Sequence, residues 1–257
     1  VNISTKEQRQ EKQVITDLAS LDVASEEVEK YGVHPDQFIE WYGPITGRVV
    51  VAVHGFTETD NRLSYLRPAA LALGDAGYRV ALVEYRQMPH HPEITFEDIA
   101  TLARHPRLQN AIWFGHSIGS LCVLKALYDP ENSIKHCVVA APIMNLRREV
   151  EEEETSNSQI AQTITQWMGG SPNYLPDTYA EYDPAVLYVR NGSADGFAAN
   201  GYHLDIIHGS ADQTIPVQHI KTLQAEPFNI AIVADANHND VICPGHDAWL
   251  FLLGALG

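Results

Sequence analysis

Short, uninterrupted apolar runs alternate along this chain with longer stretches whose apolar residues recur at helical spacing. The runs at 49–53, 80–85, 111–114, 137–141, 204–207 and 230–233 lack the polar alternation of a strand with one wet face. They predict strands buried on both sides, as in a mostly parallel sheet covered by helices. Residues 38–42 predict an earlier edge strand. Helical spacing marks 66–76, 96–104, 119–128, 216–225 and 248–256. Gly77 can take the left-handed conformation that closes the 66–76 helix, and Asp129-Pro130 ends the 119–128 helix. The expected class is α/β, with residues 1–257 forming a single domain.

Two segments depart from the alternation. Residues 1–36 read as an acidic N-terminal helical extension, with Ser4 and Glu7 spaced for a capping box and nothing that suggests chemistry. Residues 146–200 carry no clear strand, and this is where a small cap over a site is expected. Within it the acidic stretch 149–154 reads as a solvated helix face, because it lacks spaced liganding geometry. Residues 191–200, rich in Gly, Ala and Asn, read as a flexible loop.

Composition narrows the function. A 257-residue chain that is 45% hydrophobic can bury one large core. Its 33 acidic against 17 basic side chains give a formal charge of −16, which excludes the clustered cations that phosphate backbones require. The sequence has no run of eighteen apolar residues to span a bilayer and no basic-then-apolar leader pattern, so the expected location is cytoplasmic. Three cysteines, Cys122, Cys137 and Cys243, form no CxxC pair; neither a disulfide framework nor a structural metal is expected. A small-molecule substrate is the expected partner.

The main chemical signal is Gly115-His116-Ser117-Ile118-Gly119, between a strand run and a helical stretch. A strand-to-helix turn this tight needs small residues two places either side of the serine, and it lifts the hydroxyl above the strand's carboxyl end. It also leaves Ser117 at a helix N-terminus, where free amides can stabilise negative charge. A serine hydroxyl needs a base to become nucleophilic. Among twelve histidines, the main candidates downstream of Ser117 are His203, His208, His219, His238 and His246. His238 follows the 230–233 strand by a short connection, the post-strand position where such groups sit, and His246 is the fallback. Asp212, on the loop after 204–207, is the candidate acid that orients the imidazole; Asp205 and Asp240 are weaker alternatives. The oxyanion donors expected are the amides of Ile118 and of Phe56, the latter just after the strand 49–53 where Gly55 lets the backbone turn. His54 is expected to brace that loop, and Phe56, Trp167 and Tyr174 to contribute apolar walls. The adjacent pair His90-His91 reads as part of a turn.

With these residues in place, the sequence resembles the α/β-hydrolase superfamily from about Trp41 onwards. Within it the chain most resembles bacterial kynurenine formamidase (arylformamidase)-like hydrolases. The likeness rests on His54-Gly55, on Gly77-Tyr78-Arg79-Val80-Ala81 leading into Glu84-Tyr85-Arg86, and on Gly115-His116-Ser117. It continues through Gly169-Gly170-Ser171-Pro172, Tyr182-Asp183-Pro184, His208-Gly209 with Asp212 and Pro216, His238 and Asp247-Ala248-Trp249. The resemblance implies a parallel sheet flanked by helices and a Ser117-Asp212-His238 triad working without metal or cofactor. It also implies hydrolysis of N-formylkynurenine. That family's order is His-Gly-Gly followed by aromatic residues, whereas this chain has His54-Gly55-Phe56-Thr57. The segment from Tyr85 to Pro92 also resembles esterases of the hormone-sensitive lipase type, without their longer glycine-rich motif. A short-chain carboxylesterase and a non-catalytic binding protein on the same fold are the rival expectations.

Overall fold

A computed structural model describes residues 6–56, 62–154 and 158–257. Among these, the strands β1 (Glu27–Lys30), β2 (Phe38–Tyr42), β3 (Val49–Val53), β4 (Arg79–Glu84), β5 (Ile112–His116), β6 (His136–Ala140), β7 (His203–Gly209) and β8 (Asn229–Val233) form one sheet. Their spatial order is β1-β2-β4-β3-β5-β6-β7-β8. β1 pairs antiparallel with β2 and β2 antiparallel with β4; every pairing from β4 to β8 is parallel. The helices are α1 (Lys6–Ser20), α2 (Arg67–Asp75), α3 (Pro92–Ala103), α4 (Gly119–Tyr128), α5 (Leu146–Glu154), α6 (Gln159–Met168), α7 (Pro176–Tyr182), α8 (Pro184–Arg190), α9 (Ser193–Ala199), α10 (Val217–Lys221) and α11 (Trp249–Leu256).

The uniformly apolar strand runs follow from a sheet that is dry on both faces. Val51 and Val53 of β3 enter one core with Phe96 and Ile99 of α3 and Leu121 and Leu124 of α4. Val50 and Ala52 enter the other, with Leu73 of α2, Leu18 of α1 and Leu252 of α11. From β3 the chain crosses to β4 on one side and then returns to β5 on the other. The loops leaving β3 and β5 therefore diverge, and the crevice between them lies at the carboxyl ends of the strands, where open α/β sheets bind ligands.

The structure corrects several expectations. Residues 38–42 are not at the edge, because β1 covers them. The strand Glu27–Lys30 is polar and is held by side-chain charge: Arg107 Nη1 lies 2.7 Å from Glu27 and 2.6 Å from Glu29, and Trp41 Nε1 donates to Glu29 at 2.9 Å. The N-terminal extension is thus helix followed by strand. Within 191–200, Ser193–Ala199 form α9 in place of a loop, because Phe197 packs edge-on against Tyr202 and Phe228. The acidic stretch 149–154 is not simply solvated: Glu149 is buried against His219, while Glu151 and Glu152 pair with Arg147 and Arg148. The proposed 216–225 helix stops at Lys221. Ser4 of the capping-box expectation, and Thr57, lie outside the described residues. No described helix is long and apolar enough to cross a membrane.

Candidate active site

Ser117 occupies the turn between β5 and α4 with φ of 54°, a left-handed conformation that costs a non-glycine residue roughly 1–2 kcal/mol. Its neighbours hold it there. The Ser117 amide donates to Ala140 O of β6 at 3.0 Å. A Cβ on Gly119 would lie 2.4 Å from Val53 O and 2.5 Å from His54 O, and one on Gly115 would lie 2.8 Å from Gly119 O. The turn can therefore press α4 against the end of β3 only with glycine at both places.

Three loops bring their side chains together above this end of the sheet. His238 Nε2 lies 3.0 Å from Ser117 Oγ, and His238 Nδ1 lies 2.8 Å from Asp212 Oδ2. The other carboxylate oxygen, Asp212 Oδ1, accepts the amides of Thr214 at 2.9 Å and Ile215 at 2.7 Å, which fixes the acid's orientation. All three residues are buried. Burial opposes charge on His238, but the Asp212 carboxylate, joined by Glu11 and Glu149, outweighs it and raises the imidazole's pKa above the ordinary value. Burial likewise pushes Asp212 up, but His238, His208 and the Ile215 amide hold it below the usual carboxylate range.

The supporting shell includes residues that sequence reasoning passed over. Tyr65 Oη accepts the Gly55 amide at 2.6 Å and lies 3.0 Å from His116 Nδ1, while His116 Nε2 lies 3.1 Å from His238 O. Only one assignment of protons satisfies the whole chain: His116 Nε2–H donates to the carbonyl, and Nδ1 accepts from Tyr65. Burial, reinforced by the neighbouring His238, pushes His116 down to about 3, so it stays neutral in this role. His54 braces the β3 loop through Gly55 O at 2.6 Å and Glu84 at 3.2 Å, and stacks on Tyr85.

Glu11 of α1 is the least foreseen contributor. It is 3% exposed, and its Oε1 accepts the amides of Gln213 at 2.7 Å and His238 at 3.2 Å. Its Oε2 accepts the Thr214 hydroxyl at 2.9 Å. One carboxylate thus clamps the loop that carries Asp212 to the loop that carries His238. Burial pushes this carboxyl up, and the Gln213 amide is the main group holding it back. A signal was present: Glu11 occupies the stripe 11, 14, 15, 18 whose other members are Val14, Ile15 and Leu18, so a charge stands at an apolar position.

Ile118 caps α4, and among the described residues neither its amide nor that of Phe56 donates a hydrogen bond. Phe56 meets Trp167 of α6 edge to face at 4.8 Å, and Trp167 also contacts Phe96 at 5.6 Å. Tyr174 stands apart, 86% exposed, and contributes no wall. The competing histidines are engaged elsewhere. His208 sits behind Asp212 and bonds Ile215 O at 3.0 Å, His219 bridges Glu149 and Glu152, His203 pairs with Asp205, and His246 lies 3.8 Å from Asp240. The assembled groups can deliver a deprotonated hydroxyl to a carbonyl and return the proton to a leaving group.

No protein-family model matches the chain, and no curated protein sequence matches it. Its structure is similar to esterase B from Lactobacillus rhamnosis, with a TM-score of 0.65 at 14% identity over 98% of this chain and 92% of that one. A thermophilic esterase from the Planctomycetes species Thermogutta terrifontis, solved with propionate bound, gives 0.59 at 16% identity over 90% of each chain. A bromoperoxidase from Bacillus anthracis gives 0.54 at 19% identity over 88% of this chain and 98% of that one. Similarity at this level establishes architecture, and together with the sheet order and the β5–α4 turn it leads to one statement: the chain has the α/β-hydrolase fold.

Proposed function

We propose that this protein is a serine hydrolase that cleaves short-chain carboxylic esters, with Ser117 as nucleophile, His238 as general base and Asp212 as the orienting acid. The observation that carries the reading is the unbroken hydrogen-bonded path from Ser117 Oγ through His238 to Asp212, at 3.0 and 2.8 Å. Ser117 attacks the carbonyl carbon as its proton passes to His238 Nε2. The new oxyanion rests on the Phe56 and Ile118 amides. His238 then protonates the departing alcohol, leaving an acyl group on Ser117. A water molecule attacks that acyl group, gives its proton to His238 and releases the carboxylic acid, and Ser117 recovers its proton. The helices of residues 146–199 act as a cap, supplying Trp167 beside Phe56 as an apolar wall for the substrate.

Ester substrates are favoured over formamides because two of the similar structures are described as esterases and because Phe56 stands where a second glycine would suit the formamidase pattern. The test is a panel of p-nitrophenyl esters of increasing acyl length, together with N-formylkynurenine, assayed with wild type and Ser117→Ala. Turnover of short esters that vanishes in Ser117→Ala, with covalent fluorophosphonate labelling of Ser117, is the expected result. Formamide cleavage exceeding ester cleavage would move the substrate to N-formylkynurenine. Failure of wild type to label or turn over any substrate would leave a binding protein.

A further inference from the structure

We propose that His136, His203 and Asp205 form a binding site for a divalent transition-metal ion, with zinc the ion that suits the donors best. The site is independent of the chemistry at Ser117. In parallel pairing, His136 at the start of β6 lies opposite His203 at the start of β7, and Asp205 lies two residues further along β7. Residues two apart on a strand share a face, so the backbone register alone sets three ligating side chains side by side. His136 Nε2 is 3.1 Å and His203 Nε2 is 2.9 Å from the same oxygen, Asp205 Oδ2, and all three donor atoms lie within 4.8 Å of one another.

Tetrahedral zinc with bonds of about 2.0–2.1 Å sets its ligand atoms about 3.3 Å apart. The two nitrogen–oxygen spacings fall a few tenths of an ångström short of that and the donor atoms of the two histidines lie within 4.8 Å of each other, so the ion enters as the half-exposed His203 ring turns to even the three spacings. Two imidazoles and one carboxylate are a donor set for late transition metals, whereas calcium and magnesium favour oxygen ligands alone. An outer partner is also in place: Asn229 of β8 donates to Asp205 Oδ1 at 3.0 Å, turning Oδ2 towards the two histidines. The cluster lies at the amino ends of the parallel strands, while the Asp212 loop leaves the other end of β7. From His203 to Gly209, at about 3.3 Å per residue, the separation is roughly 20 Å. The bound ion would tie the starts of β6 and β7 together.

The test uses untagged full-length protein, stripped with EDTA and titrated with zinc chloride by calorimetry at neutral pH. One equivalent should bind and raise the melting temperature. His203→Ala and Asp205→Asn should each weaken binding by more than the roughly 10- to 100-fold typical of losing an outer-sphere partner. His219→Ala, which removes the histidine held between Glu149 and Glu152, should leave binding unchanged. His203 is half exposed, so its variant should fold, as circular dichroism in EDTA would verify. Absence of stoichiometric binding by wild type, or full binding retained by both His203→Ala and Asp205→Asn, would overturn the assignment and leave a hydrogen-bonded surface cluster.

Discussion

Replacing Glu11 by alanine removes one acceptor from three donors: the amides of Gln213 and His238 and the hydroxyl of Thr214. Glu11 is 3% exposed, so these donors have little access to compensating water. A buried donor left without its partner costs about 1–3 kcal/mol, and with one of the three bonds long and some solvent readmitted, a total of about 2–4 kcal/mol is expected. The acid and base loops lose their common anchor at the same time, so kcat on a short ester should fall along with stability. Glu11→Gln separates charge from geometry. Its amide oxygen can still accept the two backbone amides, and its NH₂ can donate to the Thr214 hydroxyl, so it should melt close to wild type. Because the Glu11 charge helps to raise the pKa of His238, the glutamine variant should retain a neutral imidazole to lower pH, and the acid limb of kcat/KM should shift downwards. Urea denaturation and pH–rate profiles on p-nitrophenyl acetate measure both effects. An alanine variant with wild-type stability and turnover, or a glutamine variant whose acid limb moves upwards, would refute the argument.

On the proposed mechanism His238 must be neutral in wild type to accept the serine proton, and its pKa is raised, so kcat/KM should fall on the acid side through an apparent pKa above about 6.5, seen as a single-proton limb in the pH profile. Gly119→Ala would place a methyl group within 2.5 Å of two carbonyl oxygens at the end of β3. Relieving that clash requires the Phe56 loop to shift by about 1 Å, and a loss of roughly 10²-fold in kcat is expected; steady-state kinetics within threefold of wild type would count against the packing described.

Much of the sheet is legible in sequence because burial on both faces writes itself as an uninterrupted apolar run, as at 49–53 and 111–114. β1 escapes for the opposite reason: Glu27, Val28, Glu29 and Lys30 look like a solvated segment until Arg107 and Trp41 arrive from elsewhere in the chain. Phe197 turns an expected loop into a helix through three aromatic partners, Tyr188 of α8 and Tyr202 and Phe228 just ahead of β7 and β8. At the site, Ser117 is marked by its flanking glycines, a purely local constraint. The places of Asp212 and His238 could be read from strand order alone. Strand order gives no place to Tyr65, His116 or Glu11, because none of them stands on a loop after a strand; Glu11 shows only as a charge at an apolar position of its helical stripe. Tyr174 shows the converse error, an aromatic residue assigned to a wall that stands in solvent.

The hydrogen-bonded path from Gly55 through Tyr65 and His116 to the carbonyl of His238 joins both sides of the crevice into one mechanical unit. Movement of the loop after β3 is therefore felt at the imidazole, and the reacting groups have little freedom to adapt separately to different substrates. On the proposed ester hydrolysis, selectivity then resides in parts outside that unit, above all in α6, whose Trp167 meets Phe56 edge to face. Reshaping that helix offers a route to new substrate range that leaves proton transfer untouched.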